Sequence, residues 1–229
     1  MLPFEGGVTG TLNGTLLFSV LLAIAYLFYG HRRSTPLKVA AKTLSVGLLA
    51  LLSVEAGGPW LLTLALALCA AGDFFLAIED KDERFFLAGL VSFLAGHIAY
   101  VVLFAALPAS QAPLPQVALG IVGVAMVAIA LGMGRRLFGA AAELRWPVMV
   151  YIAAILAMGM AAIWNGAGLI VAGAASFMIS DTILAADRFL MKPDTAGRQF
   201  AGPAIWITYV AAQVLILFGV LAAYPTVMA

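Results

Sequence analysis

The chain has 229 residues, of which 64% are hydrophobic and only 10% charged, and its formal net charge is +1. Soluble domains carry about 25% charged residues, so this composition excludes an ordinary soluble domain, and the near-neutral balance argues against nucleic acid as a partner. A single cysteine, Cys69, cannot form an internal disulfide and says nothing about redox compartment.

A helix needs about 20 apolar residues to cross a bilayer. Eight stretches meet this: Gly14–Tyr29, Pro36–Val54, Pro59–Ile78, Arg84–Leu107, Pro115–Met133, Leu144–Trp164, Gly166–Ala186 and Phe200–Tyr224. No Lys or Arg precedes the first, so it reads as a retained helix rather than a cleaved signal. Pro36, Pro59 and Pro115 suit helix starts, where a missing N–H costs nothing. Gly30, Gly57, Gly58, Gly134 and Gly197 suit the breaks. The expectation is an all-α polytopic membrane protein, with residues 1–229 forming a single transmembrane domain.

Charge sets the expected orientation. Arg32, Arg33 and Lys38 fall between the first and second spans, and Lys81 and Arg84 between the third and fourth. Arg135, Arg136 and Arg145 fall between the fifth and sixth, and Arg188, Lys192 and Arg198 between the seventh and eighth. Lys38, Arg84 and Arg145 stand in the first turn of a span, and of the 12 Lys and Arg residues only Lys42 lies deeper inside one. The positive-inside rule makes the charged loops cytoplasmic and puts both termini outside. Two echoes, Gly72–Ala77 with Ser180–Ala185 and Ile98–Val101 with Ile207–Val210, suggest a 4+4 parallel repeat about an axis along the membrane normal.

Polar residues inside the spans can then be placed by depth. Counted at the helical rise from the cytoplasmic ends, Asp73 and Asp181 both lie about 8 Å deep, Lys42 about 9 Å, Tyr151 about 9–10 Å and Tyr209 about 13 Å. His97 is about 20 Å deep, with Gln213 at a similar level and Tyr100 deeper still. Five polar groups from five helices are thus expected in one layer under the inner-leaflet headgroups. An intramembrane acid costs about 2.5–3.5 kcal/mol on the insertion scale and is functional by default.

Bland readings stand beside this one. Lys42 can snorkel its amine to the headgroups. Asp73 and Asp181 can be structural, salt-bridged to Lys42 or capped by tyrosine. His97 can be a neutral core histidine. Tyr151 and Tyr209 can belong to an interfacial belt. Ser176 and Ser180, one turn apart, are expected to bond back to carbonyls of their own helix. Residues Glu79 to Arg84 read as a solvated loop, and Trp60, Trp146, Trp164 and Trp206 as interface anchors. There is no Gly-rich phosphate loop, no His-x-x-x-His pair, no cysteine cluster and no Gly-x-Ser-x-Gly elbow, and no metal site is expected.

Gly72-Asp73 near the end of one span, the run Phe93 to Tyr100 in the next, and the later run Gly173 to Asp181 occur in an order and spacing that resembles the YhhN-type family of integral membrane proteins. The characterised animal members of that family are lysoplasmalogenases. The resemblance runs from about Pro36 to Phe218, and Tyr209 and Gln213 fit the family's pattern on the last helix. Lys42 stands where the family tends to carry a Lys-Pro pair; here Thr43 follows. The resemblance implies hydrolysis of the vinyl-ether bond of a lysoplasmalogen or related lyso-phospholipid to a fatty aldehyde and a glycerophospho-headgroup. It implies no cofactor, with the lysolipid and membrane lipids as partners. The alanine-rich composition fits a bacterial inner membrane.

The chemistry is consistent with the residues. A vinyl ether hydrolyses by protonation at carbon, and water traps the resulting oxocarbenium ion. Glycosidases meet the same cation with two carboxylates, and a close carboxylate pair can hold one proton between them. Asp73 is assigned as the acid and Asp181 as base or electrostatic stabiliser. Lys42, His97, Tyr100, Tyr151, Ser180, Tyr209 and Gln213 are supporting or substrate-binding candidates. The rival expectation is a proton-coupled transporter or flippase that uses the same aspartates as a relay.

Overall fold

The computed structural model describes residues 3–5, 7, 10–29, 35–192 and 194–224. Gly30, His31, Arg32 and Arg33 lie outside the described residues. Eight α-helices follow one another: α1 (Thr11–Tyr29), α2 (Pro36–Glu55), α3 (Trp60–Ala77), α4 (Glu83–Ala106), α5 (Gln116–Ala140), α6 (Arg145–Asn165), α7 (Gly168–Phe189) and α8 (Ala201–Ala223). Each is long and apolar enough to cross a membrane, and no strand occurs among the described residues.

Local chemistry explains most of the ends. Pro36 opens α2, and the Thr35 hydroxyl caps it by accepting from the Lys38 N–H at 3.2 Å. The Asp82 carboxylate accepts the Arg84 N–H at 2.8 Å and so caps α4. Gly166 ends α6 with φ +81°, a left-handed conformation that glycine takes without strain. Three boundaries differ from the sequence expectation by three residues or more, the first being that of α1, which opens at Thr11 rather than Gly14. Gly134 does not break α5, which runs on to Ala140 and carries Arg135 and Arg136 on its last turns. A lone glycine in a helix costs only about 1 kcal/mol against alanine, and the flanking residues here are strong helix formers. Likewise α7 continues to Phe189, so Arg188 is helical.

The chain divides into two compact units, residues 1–100 with 220–229, and residues 101–219. In the first, α2 packs on both α1 and α3. Val46, Leu49, Leu52, Leu62, Leu66 and Cys69 are fully buried there. The part of α4 in this unit approaches α3 closely. A β-carbon on Gly96 would stand 3.0 Å from Cys69 Sγ, and one on Gly89 would stand 2.9 Å from Leu76 Cδ2. Small residues at helix contacts are how apolar helices pack without a hydrophobic driving force between them.

In the second unit α6 packs on α5 and α7. The segment before α5 is fastened to the α6–α7 turn. Asn165 Nδ2 donates to the Pro108 carbonyl at 3.0 Å, Ser110 N to the Asn165 carbonyl at 3.0 Å, and Leu114 N to the Gly166 carbonyl at 3.0 Å. Gly173 sets the contact of α7 with α8: its β-carbon would meet Ile216 Cγ1 at 2.6 Å and the Ala212 carbonyl at 3.0 Å. A Gly173→Ala variant should therefore unfold about 1–3 kcal/mol more easily. Gly139→Ala, with nothing within 4 Å, should leave the unfolding midpoint unchanged or raise it slightly. Thermal unfolding in detergent measures both.

Trp60, Trp146 and Trp164 are 70%, 66% and 84% exposed, as interface anchors require. Trp206 is not one of them. It is 3% exposed and packs against Tyr209, with ring centroids 5.7 Å apart.

Candidate functional site

In the first unit, Asp73 hangs from the last turns of α3 and is 1% exposed. Lys42 reaches it from α2, with Nζ 3.6 Å from Oδ1. The same ammonium stands 5.8 Å from the centroid of the Tyr26 ring on α1, within cation–π range. Lys42 thus bridges an aromatic face and a carboxylate and ties three helices together. A bare lysine amine in hydrocarbon would be expensive; here its charge is met on both sides. Tyr26 was missed by sequence reasoning. Three residues from the end of α1, it lies about 5 Å deep, and the depth count that singled out Lys42 could have found it.

In the second unit, Asp181 lies on α7 and is half-buried. Tyr151 on α6 donates its hydroxyl hydrogen to Asp181 Oδ2 at 2.6 Å. That is a short, charge-assisted geometry if the carboxyl is ionised. Ser180 and Ser176 do not bond within their own helix. Ser180 Oγ donates to the Ile205 carbonyl at 3.0 Å and Ser176 Oγ to the Thr208 carbonyl at 2.8 Å, both on α8. The one-turn spacing puts both hydroxyls on the face of α7 turned toward α8. The Thr208 hydroxyl donates to the Ala204 carbonyl at 2.7 Å and lies 3.1 Å from the same Ile205 carbonyl.

The remaining candidates are core residues of their units. His97 and Tyr100 on α4 are fully buried, as is Gln213 on α8. Tyr209 is 4% exposed and meets the Phe177 ring edge-on, centroids 5.4 Å apart. The structure thus brings together Lys42 with Asp73 and Tyr151 with Asp181. It gives Ser180 a cross-helix bond and Tyr209 aromatic packing. Among the described residues, no three His, Cys, Asp or Glu side chains gather where one metal ion could be held. The groups on offer are carboxylates, an ammonium and phenols, suited to proton transfer and charge stabilisation.

A family model described as the YhhN family matches residues 37–220. The chain belongs to the YhhN family. No curated protein and no solved structure matches it. Within this YhhN-family chain every sequence-predicted site residue, from Lys42 to Gln213, falls in the matched stretch. Tyr26, the aromatic partner of Lys42, falls before it.

Proposed function

We propose that this integral membrane protein is a hydrolase that cleaves the vinyl-ether bond of a lysoplasmalogen or related lysolipid, with Asp181 as the group that moves the proton. The observation that carries the reading is Asp181 itself: a half-buried carboxyl on an apolar helix, held by a phenol at 2.6 Å. Membership of the YhhN family supports it, because hydrolysis is what the resemblance implies. The protonated carboxyl gives its proton to the carbon of the double bond remote from the ether oxygen. The resulting oxocarbenium ion lies against the newly formed carboxylate. Water adds to the cation, its proton returns to Asp181, and the hemiacetal breaks into a fatty aldehyde and the glycerophospho-alcohol. The sum is one water added, with the catalyst restored.

This exchanges the roles expected from sequence. What supports the exchange is access: Asp73 is sealed and closed on Lys42, whereas Asp181 retains exposure. The distribution of Lys and Arg supports a cell-membrane protein with both termini outside.

The direct test is incubation of purified protein with a panel of lyso-lipids, including a 1-alkenyl one, in detergent, followed by mass spectrometry of the products. Aldehyde release without any ion gradient supports the hydrolase. No product from any lipid, with gradient-dependent uptake in proteoliposomes, supports the relay of a carrier instead. Tyr151→Phe removes one hydrogen bond to the reacting carboxyl. It should slow aldehyde release by about 10-fold to 100-fold, from a bond contributing roughly 1.5–3 kcal/mol. An unchanged rate would detach Tyr151 from the reaction.

A further inference from the structure

We propose that a groove between the first half of α2 and the last turn of α3 seats one acyl chain and the phosphate of a membrane phospholipid. The groove encloses about 530 Å³, within the roughly 300–1,000 Å³ range of small-ligand sites. Its floor is apolar: Val39, Ala40, Leu44 and Phe74. Leu44 and Phe74 are exposed on a helix pair apolar enough to cross a membrane, so what lies over this floor is hydrocarbon. Lys42 and Asp73 do not line it. The seat excludes the Lys42–Asp73 pair, and its argument does not draw on the proposed reaction.

Two polar features tell a lipid from bare hydrocarbon. Among the described residues, Lys81 is the single charged side chain lining the groove, and it stands at its helix-end mouth. The neighbouring acids Glu79 and Asp80 act electrostatically on Lys38, which does not line the groove. Lys81 is exposed, and an ammonium at the mouth of an apolar slot matches a lipid phosphate. The second feature is Thr43. Its hydroxyl is shut off from solvent and has no hydrogen-bond partner among the described residues, yet the residue lines the groove. A buried hydroxyl without a partner marks a place where something polar is missing. Thr43 lies seven residues into α2, about 10 Å from the helix start. Rotation of the Thr43 side chain would turn this hydroxyl toward a glycerol ester or hydroxyl attached to a phosphate at Lys81 and a chain along Leu44 and Phe74. A free phosphate would leave both the floor and Thr43 unused.

The proposal is tested by native mass spectrometry of the full-length protein in detergent with added phosphatidylglycerol. Wild type should retain one tightly held lipid. Lys81→Gln should bind it about fivefold more weakly, the worth of one interfacial cation. Ala40→Trp, which fills the floor, should abolish the adduct, and Val124→Trp on the exposed face of α5 should leave it intact. Dodecyl phosphate should compete, and inorganic phosphate should not. Equal lipid retention by wild type, Lys81→Gln and Ala40→Trp would overturn the proposal, as would displacement of the lipid by inorganic phosphate alone. If Ala40→Trp does not fold, Lys81→Gln at an exposed position decides the matter alone.

Discussion

Asp181→Asn is expected to release fatty aldehyde from a 1-alkenyl lysophospholipid about 10²–10⁴-fold more slowly than the wild type, the usual worth of a positioned acid–base group. The substitution keeps the shape of the side chain, and the amide oxygen can still accept the Tyr151 hydroxyl that Asp181 Oδ2 now accepts at 2.6 Å. Folding should therefore be preserved, and the unfolding midpoint should move by far less than the rate. What is lost is the proton: an amide cannot protonate an alkene and then take a proton back from water. Product mass spectrometry under single-turnover conditions isolates the chemical step. A well-folded Asp181→Asn protein with full aldehyde release would end the proposed mechanism, whatever the substrate.

The largest effect on stability is expected from Lys42→Met. Removing one partner of a buried ion pair leaves the other charge uncompensated and typically costs about 3–5 kcal/mol. Here the orphan would be Asp73, whose side chain is 2% exposed. Asp73→Asn should be milder. The remaining ammonium keeps the Tyr26 ring at 5.8 Å, and its side chain, 12% exposed, has a path toward the headgroups. The double variant Lys42→Met/Asp73→Asn should recover part of the loss, since it leaves no buried charge without a partner. Unfolding of the four proteins in one detergent forms a double-mutant cycle. If Lys42→Met unfolds at the wild-type midpoint, the pair is incidental to the fold.

The spans were legible because hydropathy and length decide them together: all eight expected segments are helices. Their ends were legible where a residue has one local use, as with Pro36 at the start of α2 and Pro59 and Pro115 just before α3 and α5. They were not legible at Gly134, where a helix-tolerant sequence continues and only packing sets the stop. The site was partly legible. Polarity inside an apolar run picked out Lys42, Asp73, Tyr151 and Asp181, because a membrane makes each of them costly. Partners were harder to read. Ser180 has equally good acceptors in its own helix and in α8, and one-turn spacing does not choose between them. Trp206 shares its residue type and its place near a span end with the three exposed tryptophans, yet faces inward. Which way a side chain points around a helix that is apolar on all sides depends on its neighbours, and no periodicity in α8 records it.

The Lys42–Asp73 contact bears on how the protein is made as well as on how it stands. Each of these residues alone raises the cost of placing its helix in a bilayer, by up to about 2.5–3.5 kcal/mol at a helix centre on the insertion scale. The turn between α2 and α3 spans only Ala56 to Pro59, so the second helix follows the first out of the ribosome with almost no delay. Paired, the two charges would enter lipid as a neutral unit. α2 and α3 should therefore partition into lipid as one hairpin, and a chain truncated after α2 should integrate poorly until α3, with its aspartate, is restored.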